Sequence, residues 1–510
     1  MRTRFFIVIL GSWAFLSSAQ NQAVLKPDSA KIRISRHIYG HFAEHLGRVI
    51  YDGLYVGEDN PDIPNTDGVR NDVIEALKKL NIPNLRWPGG CFADTYHWKD
   101  AIGPKSERKP IENLSWGNYR ENNHFGTHEF LNLCELLDAE PYLAVNMNTG
   151  TVREAVEWVQ YVNHANGTSY LTDMREAYGR DKPWRVTYWG IGNESWDCGG
   201  DMTVEHYINL YKQYATAMTT YFNSENLFRI AVGPGFPDYH WTETVMKEIP
   251  VRRFEGLSIH HYSVNWSHKS SSYDFTDEEY FTTMQSAWFM EEFITENSTV
   301  MDKHDPEKRV ALVVDEWGGW YDQIGADALY QQNTMRDAMI AGVTLNIFNN
   351  HADRVRMANL AQMVNALQSV ILTQDEKMIL TPTYHVMEMY KIHQDAVWVP
   401  MDFTSDDFVM GDRRIPAVSV SCSIDTADAM HISLANIDNR KGQKVEVDLN
   451  GYPAGRVTGR ILTSSEVQDH NTFEDPETVT SEAFHQAKLS GGHVVVDMPP
   501  ISVVVLELTD

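Results

Sequence analysis

The chain has 510 residues, 43% of them hydrophobic and 22% charged, with a formal net charge of −27. That length suits one large domain plus a smaller one, and the composition excludes a disordered or fibrous chain. The acidic balance argues against a nucleic-acid partner, whose phosphates need a basic surface, and disfavours acidic substrates.

Met1-Arg2-Thr3-Arg4 is basic, Phe5 to Leu16 is apolar, and Ser17-Ser18-Ala19 supplies small residues. This is the pattern of a signal peptide over residues 1–19, and it predicts export to the periplasm or the medium. The apolar run is short for a bilayer span, and no later segment is apolar for the length a span needs. Cys91, Cys134, Cys198 and Cys422 make no disulfide framework and lack zinc-site spacing. One bridge is open to them, with no pair indicated.

Short apolar strands then alternate with amphipathic stretches. Strands are expected at Ile38–Ala43, Asn84–Trp87, Tyr142–Asn146, Val186–Ile191, Arg229–Gly233, Leu257–His261, Val310–Val314 and Leu345–Asn349. Helical periodicity marks Val69–Leu80, His128–Leu137, Thr151–Asn163 and Val204–Met218. The alternation predicts an α/β fold, a (β/α)8 TIM barrel over residues 37–391. A doubly wound open sheet is the alternative, weakened by the lack of a G-x-G-x-x-G or G-x-x-x-x-G-K phosphate loop. Beyond Ile392 the chain turns β-rich, with strands near Ala417–Ile424, His431–Ile437, Val445–Leu449 and Ser502–Leu508 between Asn, Asp and Gly turns. Residues 392–510 therefore read as a C-terminal all-β sandwich, jelly-roll-like. Residues 20–36, with an extended stretch Val24–Ile34, are expected to join it.

In such a barrel the active site lies at the C-terminal ends of the strands. Polar residues at those ends are Glu44, Arg86, Asn146, Asn148, Asn193, Glu194, His260, His261, Tyr262, Asp315, Glu316, Asn349 and Asn350. Glu194 and Glu316 each follow a strongly apolar strand, on strands four and seven, which face each other across a small barrel. Glycoside cleavage needs such a pair: one carboxyl protonates the departing oxygen while the other attacks or stabilises the anomeric carbon.

The motifs are specific. His37-Ile38-Tyr39-Gly40-His41-Phe42-Ala43-Glu44-His45-Leu46-Gly47-Arg48, Leu85-Arg86-Trp87-Pro88-Gly89-Gly90-Cys91-Phe92, Gly192-Asn193-Glu194-Ser195-Trp196, Asp315-Glu316-Trp317 and Leu360-Ala361-Gln362-Met363-Val364-Asn365 occur in this order. Together they resemble glycoside hydrolase family 51, the α-L-arabinofuranosidases of the large retaining (β/α)8 clan, over nearly all of the chain from Ile38. The resemblance implies a retaining, exo-acting enzyme that removes terminal α-L-arabinofuranosyl units from arabinan, arabinoxylan or related oligosaccharides. It implies Glu194 as acid/base and Glu316 as nucleophile, with carboxyl groups roughly 5–5.5 Å apart. Arg86 and Tyr262 would hold Glu316 charged, His260 would tune Glu194, and Asn193 would bind the sugar 2-hydroxyl. Glu44, Cys91 and Gln362 would bind the other hydroxyls, and Trp116 and Trp320 would wall the sugar. For both tryptophans ordinary packing competes with that role, and for Cys91 so does simple burial. The mechanism needs no metal or organic cofactor, and family members are commonly homo-oligomers.

Two motifs mislead. His41-Phe42-Ala43-Glu44-His45 fits H-x-x-E-H, but that zinc motif needs a helix and this segment follows a strand. Asn113, Asn166, Asn193, Asn265 and Asn297 open N-x-[ST] sequons, which read as chance. Asp197 and Asp201, just past the acid/base, put extra negative charge on the leaving-group side. An endo-acting glucanase or xylanase on the same fold, and a non-catalytic sugar-binding protein, are the competing functions.

Overall fold

In the computed structural model, which describes residues 21–219 and 226–510, eight parallel strands close into a barrel. In chain order, barrel strands one to eight are Gly40–Phe42, Asn84–Trp87, Glu140–Val145, Tyr188–Ile191, Phe228–Ala231, Gly256–Ser263, Ala311–Gly319 and Val355–Leu360. The eighth closes onto the first through Asn359–Gly40 and Leu360–His41. The proposed signal peptide lies outside the described residues.

Strands buried on both faces read as apolar runs. Leu143 to Val145 and Leu312 to Val314 are such runs, and all six residues are buried. Each outer helix instead carries one apolar stripe. Helix Asn71–Leu80 buries Val73, Ile74, Leu77 and Leu80, one face of a 3.6-residue period, and stops at left-handed Asn81, φ 55°.

The eighth strand corrects the sequence reading. Leu345–Asn349 is not a strand but the end of a helix, Met335–Asn350, in which every residue from Met335 to Asn349 is buried. A helix packed on all sides shows no amphipathic period, so its apolar run mimics a buried strand. The signal that separates them is Thr334-Met335-Arg336-Asp337, a capping box in which Thr334 N–H donates to Asp337 Oδ2 at 2.8 Å. The true strand eight was masked by Arg356 and Asn359 within it. Asn349 and Asn350 consequently sit away from the site. Asn349 bonds Tyr39 and Ser421, and Asn350 Nδ2 donates to Val420 C=O, which ties the barrel to the sandwich.

The C-terminal strands form two sheets. One runs Met401–Thr404, Asn21–Leu25, Gln443–Asp448, His493–Met498, Ala487–Ser490. The other runs Val397–Trp398, Val418–Ile424, Met430–Asn436, Ser502–Thr509, Arg456–Thr463, Glu482–Ala483. The N-terminal strand thus lies inside the sandwich, parallel to Gln443–Asp448. It is shorter than the extended stretch to Ile34, because Pro27 opens a 3-10 turn over Pro27–Ser29. Among the described residues no helix is long and apolar enough to cross a membrane.

Candidate active site

Barrel strand four ends at Ile191, and Gly192, at φ 90°, turns the chain. Asn193 and Glu194 follow, Glu194 itself in the left-handed region at φ 39°. A non-glycine residue held there is strained, and such strain gathers at functional sites.

Opposite stands strand seven. Consecutive residues on a regular strand face opposite sides. Here the register against strand eight shifts between Val314 and Trp317, so Asp315 and Glu316 both reach the barrel's interior network. Arg86 Nη1 donates to Glu316 Oε1 at 2.8 Å, and Tyr262 Oη donates to Glu316 Oε2 at 2.8 Å. Each oxygen of the nucleophile candidate thus has its own donor. Arg86 Nη2 also donates to Asn193 Oδ1 at 2.6 Å, which leaves the Asn193 amide N–H groups as donors. Gly90 makes the approach possible, since a Cβ there would stand 2.7 Å from Glu316 Oε1.

His260 links the two sides. Its Nδ1 lies 2.8 Å from Glu194 Oε1, and its Nε2 lies 3.0 Å from Asp315 Oδ1. Asp315 Oδ2 accepts from Tyr142 Oη at 2.6 Å. Burial pushes His260 down, but the charges of Glu316 and Asp315 outweigh it and lift the imidazole to about 10. Burial pushes Asp315 up, but Arg86 and then His260 hold it below the usual carboxylate range. Glu194 is raised, first by burial; the hydrogen bond from His260 opposes the rise and the charge of Glu316 adds to it. As a cation His260 donates to Glu194 Oε1, and Glu194 Oε2 has no share in that bond. One oxygen of each glutamate and a ring nitrogen of His260 lie within 4.8 Å of one another.

Glu44 builds a second wall. Its Oε1 accepts from Gly90 N–H, Phe92 N–H and Trp116 Nε1–H at 2.9, 3.1 and 2.9 Å, and its Oε2 accepts from Gln362 Nε2 at 3.2 Å. Burial, then Glu316, raises its carboxyl to about 7. A cavity of about 530 Å³ opens above these groups, lined by Glu44, Cys91, Trp116, Glu194, His260, Tyr262, Glu316 and Trp320 among others. Arg86, Asn193 and Gln362 form the buried layer beneath it.

Of the other strand-end residues, His261 also lines the cavity, and the rest lie elsewhere. Asn146 turns back on its own loop, its Oδ1 accepting from Thr149 and Gly150 N–H, and Asn148 is exposed. His261 bonds Ser286 C=O. His45 pairs with Glu121 while Glu44 faces the cavity, so the H-x-x-E-H residues do not converge. Asn113, Asn193 and Asn297 are buried, which leaves no room for a glycan. The sequence reading gave no role to Asp315, Tyr142 or Cys198. Asp315 carried the one available signal, a second carboxylate beside Glu316. Cys198 is bonded to Cys91, a pair the spacing did not indicate.

Comparison with known proteins identifies the family. A family model described as the α-L-arabinofuranosidase 1 domain matches residues 76–279, and one described as the α-L-arabinofuranosidase C-terminal domain matches residues 315–502. A Bacteroides ovatus protein named intracellular exo-α-L-arabinofuranosidase is 46% identical over 98% of this chain and 99% of its own. The crystal structure of the family 51 arabinofuranosidase from Xanthomonas axonopodis pv. citri superposes with a TM-score of 0.94 at 43% identity, over 96% of this chain and 100% of that one. The α-L-arabinofuranosidase from Thermotoga maritima, solved with arabinose, gives 0.84 at 32% identity, over 96% and 99%. The Bacteroides protein corrects one expectation. It is described as intracellular and aligns with nearly all of this chain, so the export read from the first nineteen residues does not stand. A basic start, a short apolar run and small residues are a compositional pattern, and a relative aligned over 98% of this chain outweighs it. By fold and sequence, the chain belongs to the α-L-arabinofuranosidases of glycoside hydrolase family 51.

Proposed function

We propose that this α-L-arabinofuranosidase works by double displacement with retention, Glu316 as nucleophile and Glu194 as acid/base. The observation that carries the reading is the unlike surroundings of the two carboxyls: Arg86 and Tyr262 on Glu316, burial and one His260 contact on Glu194. Their close approach leaves no room for the water that inversion places between carboxyls about 6.5–9.5 Å apart.

In the first step a Glu316 oxygen attacks the anomeric carbon while Glu194 Oε2 gives its proton to the departing oxygen. The Arg86 and Tyr262 bonds shift with the charge leaving Glu316. In the second step Glu194, now ionised, takes a proton from water, and the resulting attack releases arabinose. The Asn193 amide would donate to the sugar 2-hydroxyl, a contact that strengthens as oxocarbenium character develops. Glu44 and Gln362 would fix the remaining hydroxyls; Cys91 would border them without a free thiol. A compact cavity with Trp116 and Trp320 in its lining suits one furanose unit, hence exo action on side chains of arabinan, arabinoxylan or their oligosaccharides. The same sheet memberships support a barrel over 37–391 and a sandwich over 392–510 joined by 20–36.

Glu316→Ala should lose turnover of an aryl α-L-arabinofuranoside, and azide should restore it as a β-configured glycosyl azide. Normal turnover by that variant, or an α-configured azide product, refutes the assignment.

A further inference from the structure

Cys91 begins the loop after barrel strand two, and Cys198 closes the tight loop after strand four. A disulfide joins them across 107 residues of sequence, with Cα atoms 5.5 Å apart. The bridge touches the acid/base directly. Cys198 Sγ lies 3.6 Å from Glu194 Oε2, the oxygen that His260 leaves free. Asn193 Nδ2 donates to the same sulfur over 3.9 Å. Both cysteines are half-buried and Cys91 lines the cavity, so a small solute reaches the bridge. Cys134 and Cys422 are buried thiols instead.

One ligand atom from each of Cys91, Glu194 and Cys198 lies within 4.8 Å of the others. Zinc bound at about 2.3 Å to sulfur and about 2.0 Å to oxygen would draw three such atoms together with little movement. The loop that carries two of them does not depend on the bridge. Asp197 and Gly199 N–H donate to Glu194 C=O, and Met202 N–H donates to Ser195 C=O. Opening the S–S bond therefore leaves two thiols and a carboxyl facing one point.

We propose that the Cys91–Cys198 bridge is reducible and that its two thiols, with Glu194, form a site for a thiophilic divalent cation such as Zn²⁺, which silences the acid/base. A dithiol reductant supplies two electrons and two protons. The S–S bond breaks, Cys91 and Cys198 become thiols, and the reductant closes to its own disulfide. Zinc then displaces both thiol protons and the Glu194 carboxyl proton to solvent and takes the two thiolates and the Glu194 carboxylate as ligands, with water completing the tetrahedron. While it is bound, Glu194 holds no transferable proton.

The test uses the full chain, oxidised or reduced with a dithiol that is then removed anaerobically, and Zn²⁺ alone as probe. Reduction should expose two further thiols, and the reduced enzyme should then bind one Zn²⁺ per chain by calorimetry. Co²⁺ in its place should give a thiolate-to-metal charge-transfer band. Activity of the reduced enzyme should fall about tenfold or more with zinc and return with a chelator, while the oxidised enzyme is spared. Cys198→Ser should lose the stoichiometric site and the band. Two outcomes overturn the proposal: no stoichiometric metal on the reduced enzyme, or equal zinc inhibition of the oxidised and Cys198→Ser enzymes. The second would put the metal on Glu194, His260 and Glu316. The silencing rests on Glu194 as acid/base, but stoichiometry and band do not, so failure of the site and failure of that reading are distinguishable.

Discussion

Asp315, His260 and Glu194 form one chain of contacts, and it sets the surroundings of the Glu194 carboxyl. Asp315 takes Nε2 of the ring, so Nδ1 must serve Glu194. The pH behaviour follows from its sign. As the proposed acid, Glu194 would act only while protonated, so activity should fall as pH rises through its raised pKa. His260 lowers that pKa by charge and hydrogen bond. In His260→Asn the alkaline limb of kcat/KM should therefore move to higher pH, with kcat down roughly 10²-fold. An unmoved limb would show that His260 only packs. Gly90→Ala tests the approach of the second loop to Glu316. Its Cβ, 2.7 Å from Oε1, would push on a fixed side chain, so kcat should drop at least about tenfold with the melting temperature little changed. Full activity would show that the loop yields.

Helix Met335–Asn350 is the element on which sequence and structure part company. Its burial on every side comes from the sandwich packing on it: Asn346 and Asn349 share Ser421, and a Cβ on Gly342 would lie 3.2 Å from Ala435 Cβ and Val503 Cγ2. Leu345→Ala should cost about 2–5 kcal/mol of stability, read by denaturant unfolding, without altering the pH profile. A cost below that range would mean that the site collapses around the void. The first seven barrel strands were legible as short, largely apolar stretches bounded by turns or by helices with a single stripe, even where Arg86 or Arg229 interrupts them. Strand eight was not, because Arg354 just before it and Arg356 within it are polar. Arg354 is buried where Asp305, before the neighbouring strand seven, meets it, Nη1 to Oδ2 at 3.1 Å, with Val310 C=O accepting beside it. A pairing that distant in sequence leaves no local mark.

At the scale of the molecule the sandwich is part of the catalytic unit's support. Asn21–Leu25 crosses from the chain's start into a C-terminal sheet, and Met335–Asn350 lies between barrel and sandwich. Residues 37–391 expressed alone should therefore be insoluble or lack a cooperative unfolding transition, measured by sedimentation and calorimetry. A soluble, active barrel would show that the sandwich is dispensable. Sequence alone determined the alternation that makes a barrel, the β-rich end, and the two glutamates at strand ends, since period and turn residues are local properties. It also held the family motifs that surround Glu194 and Glu316. Tertiary structure alone decided that strand seven shifts register to bring Asp315 inward beside Glu316, and that Cys91 meets Cys198. It decided as well that His260 stands between Asp315 and Glu194. Each of these depends on distances between residues far apart in the chain, and those distances give two otherwise identical side chains, Glu194 and Glu316, unlike surroundings.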